Sequence, residues 1–115
     1  MHFMSTLAKK KCAPCEGGVP PLTGALLEKY TQELGGGWVV LNEHHLEKSF
    51  RFKNFAQALA FANQVGALAE EEQHHPDLHL SWGWVRILIW THSINGVSEN
   101  DFILAAKIDQ IPSII

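Results

Sequence analysis

The sequence predicts an α+β domain: a four-stranded antiparallel sheet with three helices packed on one face, in the order α-β-β-α-β-β-α. Three observations predict it. Three segments carry apolar residues at helical spacing behind a capping residue, four short segments are apolar or alternate with period two, and the connections within each successive pair of strands are short enough for hairpins. The chain has 115 residues, 46% of them hydrophobic and 18% charged. That is enough for one domain with a core of its own, and too apolar for a disordered chain.

Residues 1–22 read as an N-terminal arm ending in Val19-Pro20-Pro21-Leu22, and residues 23–115 as the domain. Thr23 opens the first helix, which carries Leu26, Leu27, Tyr30 and Leu34 until Gly35-Gly36-Gly37 stops it. "WVVLN" (Trp38 to Asn42) and "KSFRFK" (Lys48 to Lys53) are the first two strands. Glu43 to Glu47 form their connection, where His44 and His45 read as solvated loop residues. Asn54 caps the second helix, whose apolar stripe is Phe55, Ala58, Leu59, Ala62, Val65 and Ala69, widened by Phe61 and Leu68. So wide a stripe suggests contact with another subunit as well as with the sheet.

Pro76 ends the second helix near His74, because the residue before a proline avoids the helical conformation. Leu78, Leu80 and Trp82 alternate with His79 and Ser81 in a third strand, Gly83 breaks it, and "WVRILIWT" (Trp84 to Thr91) is the fourth. On that strand Val85, Ile87 and Ile89 take one side while Trp84, Leu88 and Trp90, with Arg86 among them, take the other. Neither side is polar, so the second is expected to be covered by a ligand or a partner subunit. Ser98 caps the last helix with Asp101 three residues on, a capping-box pattern. Phe102, Ile103, Ala105, Ala106 and Ile108 form its apolar side, and Pro112 limits it.

A net charge of -3 argues against a nucleic-acid or anionic-membrane partner, since both need a basic footprint. No apolar run approaches the length of a membrane span. Lys9, Lys10 and Lys11 are followed by "CAPCEGG" rather than by the apolar core of a signal peptide, so the expected location is cytoplasmic. Cys12 and Cys15 are the two cysteines. A structural zinc would need two further ligands, with His2 or the His44-His45 pair on offer, and no spacing demands them. The expectation is a reduced thiol pair in a mobile arm.

The histidines carry the chemistry. His74 and His75 precede the third strand and His92 follows the fourth. A hairpin about Gly83 would bring His75 and His92 side by side, and so gather three imidazoles at one end of the sheet. Imidazole is the side chain whose ordinary pKa, about 6.5, suits proton exchange near neutrality. A helix C-terminus favours its protonated form, and Glu70, one turn earlier, is placed to lie beneath His74. A three-histidine metal site is the other use of such a cluster; no metal and no cofactor is expected, because a proton-transfer site accounts better for the placement at a helix end.

These residues resemble the pterin-4a-carbinolamine dehydratases. The likeness covers Leu22 to Ile111 and rests on Trp38, "FRFKNFAQALAFANQV", Glu70 followed by "HHP", "THSINGVSENDF" and "LAAKID". The resemblance implies that His74, His75 and His92 are the active-site histidines. It further implies that Gln73, Trp90, Thr91 and Ser93 line a pterin pocket, with Glu70 beside the histidines and Trp38 near the site. The implied reaction dehydrates a 4a-hydroxytetrahydropterin to a quinonoid dihydropterin, in tetrahydropterin recycling for an aromatic amino-acid hydroxylase. The leaving hydroxide must gain a proton while a ring nitrogen loses one, which general acid–base catalysis supplies without metal or covalent intermediate. His74 and His92 are the expected exchange partners, and His75 mainly positions the substrate.

The family also implies a homodimer or homotetramer. Some members have Asp where this chain has Gln73, and an aromatic residue where it has Leu78, departures that bear on pocket polarity. The competing readings are a non-catalytic dimerisation module or transcriptional coactivator on the same fold, and a histidine-rich metal protein.

Overall fold

In the computed structural model, residues 7–10, 12 and 20–111 are described. The domain runs α1 (Gly24–Leu34), β1 (Val39–Leu41), β2 (His45–Arg51), α2 (Phe55–Glu72), β3 (Asp77–Ser81), β4 (Trp84–Ile89), a 3-10 turn (His92–Ile94) and α3 (Glu99–Asp109). The four strands form one antiparallel sheet in the order β1-β2-β4-β3. No helix among the described residues is long and apolar enough to cross a membrane.

The central pairing of β2 with β4 sets which side chains face the helices. Leu46 lies opposite Ile89, Lys48 opposite Ile87 and Phe50 opposite Val85. Leu46, Val85, Ile87 and Ile89 are fully buried, whereas Trp84, Arg86, Leu88 and Trp90, on the alternate positions of β4, are only half-buried. Period-two alternation thus divides the sheet into a helix-covered face and an open one. Against the covered face lies α3, buried over Asp101–Ala106 and at Ile108. A helix with so little polar surface is the centre of the core rather than its cover.

The capping residues act as their chemistry predicts. Asn54 Oδ1 accepts from Gln57 N–H at 2.9 Å, Ser98 and Asp101 form the capping box, and Gly35 ends α1 at φ 57°. Thr23 occupies the cap position of α1 without a side-chain cap bond. The face of α2 is rotated from the expected stripe. Ala58, Phe61, Val65 and Ala69 are buried, while Phe55 and Leu59 are exposed, because Phe61 reaches the sheet between Phe50 and Phe52 at ring separations of 4.7 and 5.1 Å.

Three boundaries differ from the expectation. β2 begins at His45, so the β1–β2 connection shrinks to Asn42, Glu43 and His44. Asn42 and Glu43 take the left-handed conformation that so tight a turn requires. Trp82 leaves the third strand for the two-residue turn Trp82-Gly83 that joins Ser81 to its partner Trp84. β4 ends at Ile89, because Thr91 turns out of the ladder to bridge Gly96.

The arm is anchored where it is described. Leu7 is 1% exposed and belongs to the core. Cys12 donates its N–H to Glu72 Oε1 at 3.0 Å and its thiol to Asn100 O at 3.6 Å. Burial, reinforced by the Glu72 carboxylate, pushes that thiol up to about 12. Leu7–Lys10 and Cys12 therefore pack against the domain instead of forming part of a mobile arm. His2, Cys15 and Pro112 lie outside the described residues, and the CxxC pairing lies outside with them. Further along, Pro21 passes so close to Gly96 that a Cβ there would come within 2.6 Å of Pro21 Cβ, so the loop after His92 is shaped by the extended segment that enters α1.

Candidate functional site

The site begins where α2 stops. Gln73 adopts a left-handed conformation (φ 56°, ψ 39°), and its N–H returns to Ala69 and Glu70 carbonyls, a common way to satisfy the last carbonyls of a helix. Gln73 Nε2 also donates to Glu70 O at 2.6 Å, and His74 N–H donates to Ala69 O at 3.1 Å. The left-handed residue swings the chain back over the helix end and aims His74 at the N-terminus of α3, while Pro76 keeps His75 extended.

His74 meets Asp101 there. Its Nε2 lies 2.5 Å from Asp101 Oδ1, with side-chain exposures of 11% and 0%. The second oxygen, Oδ2, accepts from Thr91 Oγ1 at 2.9 Å and from Ser98 N–H at 2.7 Å, and Ser98 and Thr91 share a hydroxyl bond of 2.7 Å. A buried carboxylate needs such partners, and the first turn of a helix is where negative charge is favoured. The consequence falls on His74. A carboxylate accepts only, so Nε2 carries the hydrogen and Nδ1 is left as the nitrogen that can exchange a proton outward.

The other two histidines are held differently. His75 Nε2 pairs with Glu70 Oε2, the side chains being 56% and 74% exposed, an ion pair of small energetic weight. Glu70 therefore supports His75 rather than His74, and Asp101 takes the place expected for it. His92 is exposed, and its ring lies 4.5 Å from the Trp90 ring. Neither of its ring nitrogens has a hydrogen-bond partner among the described residues.

The hairpin places the three imidazoles at one end of the sheet but not in mutual contact. Because the turn is Trp82-Gly83, the register that pairs Asp77 with Leu88, carried two and three residues further, sets His75 opposite Trp90 and His74 opposite Thr91. The link runs through Asp101, which binds both His74 and Thr91, and then through the backbone from Thr91 to His92. No hydrogen bond or ring contact among the described residues joins His92 to His74 or His75. Strand alternation turns His74 and Thr91 to the covered face and His75 and Trp90 to the open one.

Gln73 is exposed at the helix end, Ser93 is exposed in the 3-10 turn and Trp90 is half-buried. Trp38 is not brought to this group. Its Nε1 donates to Asp109 Oδ2 at 3.0 Å, eight residues beyond Asp101 on α3, about 12 Å along the helix.

Asp101, His44, His45 and Asn95 were not foreseen as site residues. The capping box gave Asp101 its position, but a cap uses only part of a carboxylate, and nothing local shows that His74 takes the remainder. His44 ends the tight β1–β2 turn, His45 begins β2, and both are half-buried. His44 Nδ1 lies 3.1 Å from His45 Nδ1, and His44 Nε2 lies 2.9 Å from Asn95 Oδ1. Their rings lie 5.2 and 6.0 Å from that of Trp90. They are wall residues of the His92 side and not solvated loop residues. The pairing of His45 with Trp90, one step beyond Leu46 and Ile89 in the ladder, was the one signal that could have found them.

Fold and site together define a small α+β domain with carboxylate-supported histidines at one end of its sheet. The sequence profile of the family described as "Pterin 4 alpha carbinolamine dehydratase" matches residues 20–111. The chain belongs to that family. A relative from Rubrobacter xylanophilus is 55% identical over 108 residues, which cover 94% of this chain and 100% of its own. One from Rickettsia canadensis is 55% identical over 106 residues, covering 92% and 97%. Both are named, provisionally, as pterin-4-alpha-carbinolamine dehydratases. Among solved structures, a transcriptional coactivator/pterin dehydratase from Brucella melitensis superposes with a TM-score of 0.71 at 32% identity, covering 77% of this chain and 95% of its own. A pterin dehydratase-like protein identified as a RuBisCO assembly factor in the alpha-carboxysome gives a TM-score of 0.56 at 27% identity, covering 66% and 89%.

Proposed function

We propose that the protein is a pterin-4a-carbinolamine dehydratase, a cytoplasmic hydro-lyase of tetrahydropterin recycling that serves an aromatic amino-acid hydroxylase. The observation that carries this reading is the His74–Asp101 pair. Asp101 would stabilise the imidazolium form of His74 and fix its orientation, so that Nδ1–H can protonate the departing 4a-hydroxyl. The C–O bond then breaks, water leaves, and the neighbouring ring nitrogen loses its proton as it forms a double bond to the same carbon. His92, whose ring nitrogens have no competing partner among the described residues, is the base that takes that proton. Solvent exchange returns it to His74 after product leaves. His75, held by Glu70 on the open face, orients the pterin, while Gln73, Trp90, Thr91 and Ser93 shape the pocket. No metal or cofactor enters these steps.

The experiment is turnover of a synthetic 4a-carbinolamine pterin by the purified protein. His74→Ala and His92→Ala should each slow dehydration by about 10²-fold, the usual weight of one general acid or base, and the double variant should be nearly inactive. Wild-type rates in the double variant would overturn the assignment.

A second reading has its own observation. Phe55 and Leu59 on α2 and Leu78 and Leu80 on β3 are exposed apolar residues on adjoining elements, a surface of the kind that protein partners cover. We assign it to self-association into a dimer or tetramer. A purified protein with no turnover and with Leu59 and Leu78 buried against a different protein would favour the binding-module reading instead.

A further inference from the structure

The β1–β2 turn touches the loop that carries His92, and nothing in the reaction as described calls for that contact. His44 comes from 51 residues away in sequence to reach Asn95. Asn95 closes the 3-10 turn in a left-handed conformation, its N–H bonded to His92 O at 3.1 Å. His92 and Asn95 are both exposed, so solvent competes with the turn's internal bonds. A single 3-10 turn has weak hydrogen-bond geometry of its own; the Thr91–Gly96 bridge closes the base of this loop, and the His44 contact tethers its tip.

We propose that His44 is a positioning residue for the dehydration: it latches Asn95, and through Asn95 it holds the turn that presents His92 beside Trp90. The proton inventory supports a defined latch. With Asn95 Oδ1 as acceptor, His44 donates from Nε2, which leaves its Nδ1 to accept from His45 Nδ1–H. The two facing Nδ1 atoms hold one hydrogen between them. Neutral His45 then has no hydrogen on Nε2, and Glu47 Oε1 lies 3.8 Å from that nitrogen, beyond hydrogen-bond reach, so the acidic neighbour of the latch lies on β2. The groups facing the latch are thus His45 and Glu47 on β2, Trp90 beyond β4 and His92 in the turn itself. Trp90 touches His44, His45 and His92 alike, so a shift of His44 is felt at the ring beside His92.

This inference rests on the dehydratase reading for its kinetic test, and a second measurement keeps it independent of that reading. His44→Ala and Asn95→Ala should each lower kcat about three- to tenfold, the equilibrium weight of one hydrogen bond, with the fold retained. His44→Gln, which keeps a donor, should recover most of the loss. The double variant should be no slower than the worse single one, because both remove the same contact. Amide exchange of Asn95 N–H should quicken by a similar factor in His44→Ala. Additive kinetic losses, or unchanged exchange at Asn95, would overturn the latch. Absence of turnover in the wild type would remove the dehydratase reading and leave the exchange measurement to decide the latch alone.

Discussion

The two ends of α3 carry the same residue type in two different employments. Asp101 and Asp109 are both acids on the central helix. Asp109 receives Lys48 Nζ at 2.7 Å and Trp38 Nε1 at 3.0 Å, and Lys48 also lies over the Phe50 ring at 4.6 Å. Asp101 receives a hydroxyl, a backbone N–H and the imidazole of His74. Lys48 on β2 and Trp38 before β1 meet α3 through that carboxylate, so the Asp109 pair locks sheet to helix. In the proposed reaction the His74 imidazole is a group that exchanges a proton, so the Asp101 pair would serve chemistry where the Asp109 pair serves structure. The difference between structure and chemistry lies in the partner, not in the carboxylate.

Substitutions at the two positions should separate these roles. Asp101→Asn places an amide against His74 Nε2 and favours the tautomer with hydrogen on Nδ1, which cannot become a supported imidazolium. The expected loss in kcat is about 10²-fold or more, since a triad histidine deprived of its carboxylate in other enzymes loses still more. Asp109→Ala leaves Lys48 half-buried without its counter-ion and Trp38 without an acceptor. The expected cost is about 2–3 kcal/mol, at the low end for a broken buried pair because Lys48 is not fully enclosed, read as a lowered melting temperature with kcat per folded molecule unchanged. If Asp109→Ala loses activity as Asp101→Asn does, without unfolding, the contrast between the two ends is broken.

The arm sharpens the same comparison from outside. Leu7→Ala should cost about 2 kcal/mol, the low end for a buried leucine, with a lowered unfolding midpoint in urea as the measurement. A smaller effect is expected at Glu72. Burial alone would raise its carboxyl, but the Cys12 N–H and the Lys107 ammonium, 3.2 Å away, outweigh it and hold the group below its usual 4.5. A carboxyl lowered by folding stabilises above its unfolded value and loses that contribution as the pH falls through the folded one. Wild type and Glu72→Gln should therefore differ in stability by about 1 kcal/mol at pH 7, read from urea unfolding, and the difference should shrink as the pH falls through the lowered folded value. A difference that persists unchanged into acid would dismiss the Cys12–Glu72–Lys107 group as the anchor of the arm.

Much of this could be read from the chain. The alternation in "WVRILIWT" gave the faces of β4, Asn54 and Ser98 gave helix starts, and HHP gave the end of α2, because each is a local rule of backbone geometry. The histidines needed more. Their count about Gly83 was two residues from the true register, since a two-residue turn takes Trp82 out of the strand, and that offset decides whether His92 faces His75 or only shares a loop with Thr91. The wide apolar stripe of α2 also misled, because periodicity locates a face only to within about a turn and the position of Phe61 against two sheet aromatics settled it.

By itself the sequence determined the elements, their order, the two antiparallel hairpins and the types of residue that carry chemistry, for these follow from neighbours within about ten positions. Tertiary structure alone decided which carboxylate serves which imidazole. Glu70 is four residues from His74 yet binds His75, while Asp101 is twenty-seven away and binds His74. The left-handed turn at Gln73 and the burial of the first turn of α3 put His74 and Asp101 in contact, and a buried carboxylate must take whatever donors the fold brings to it.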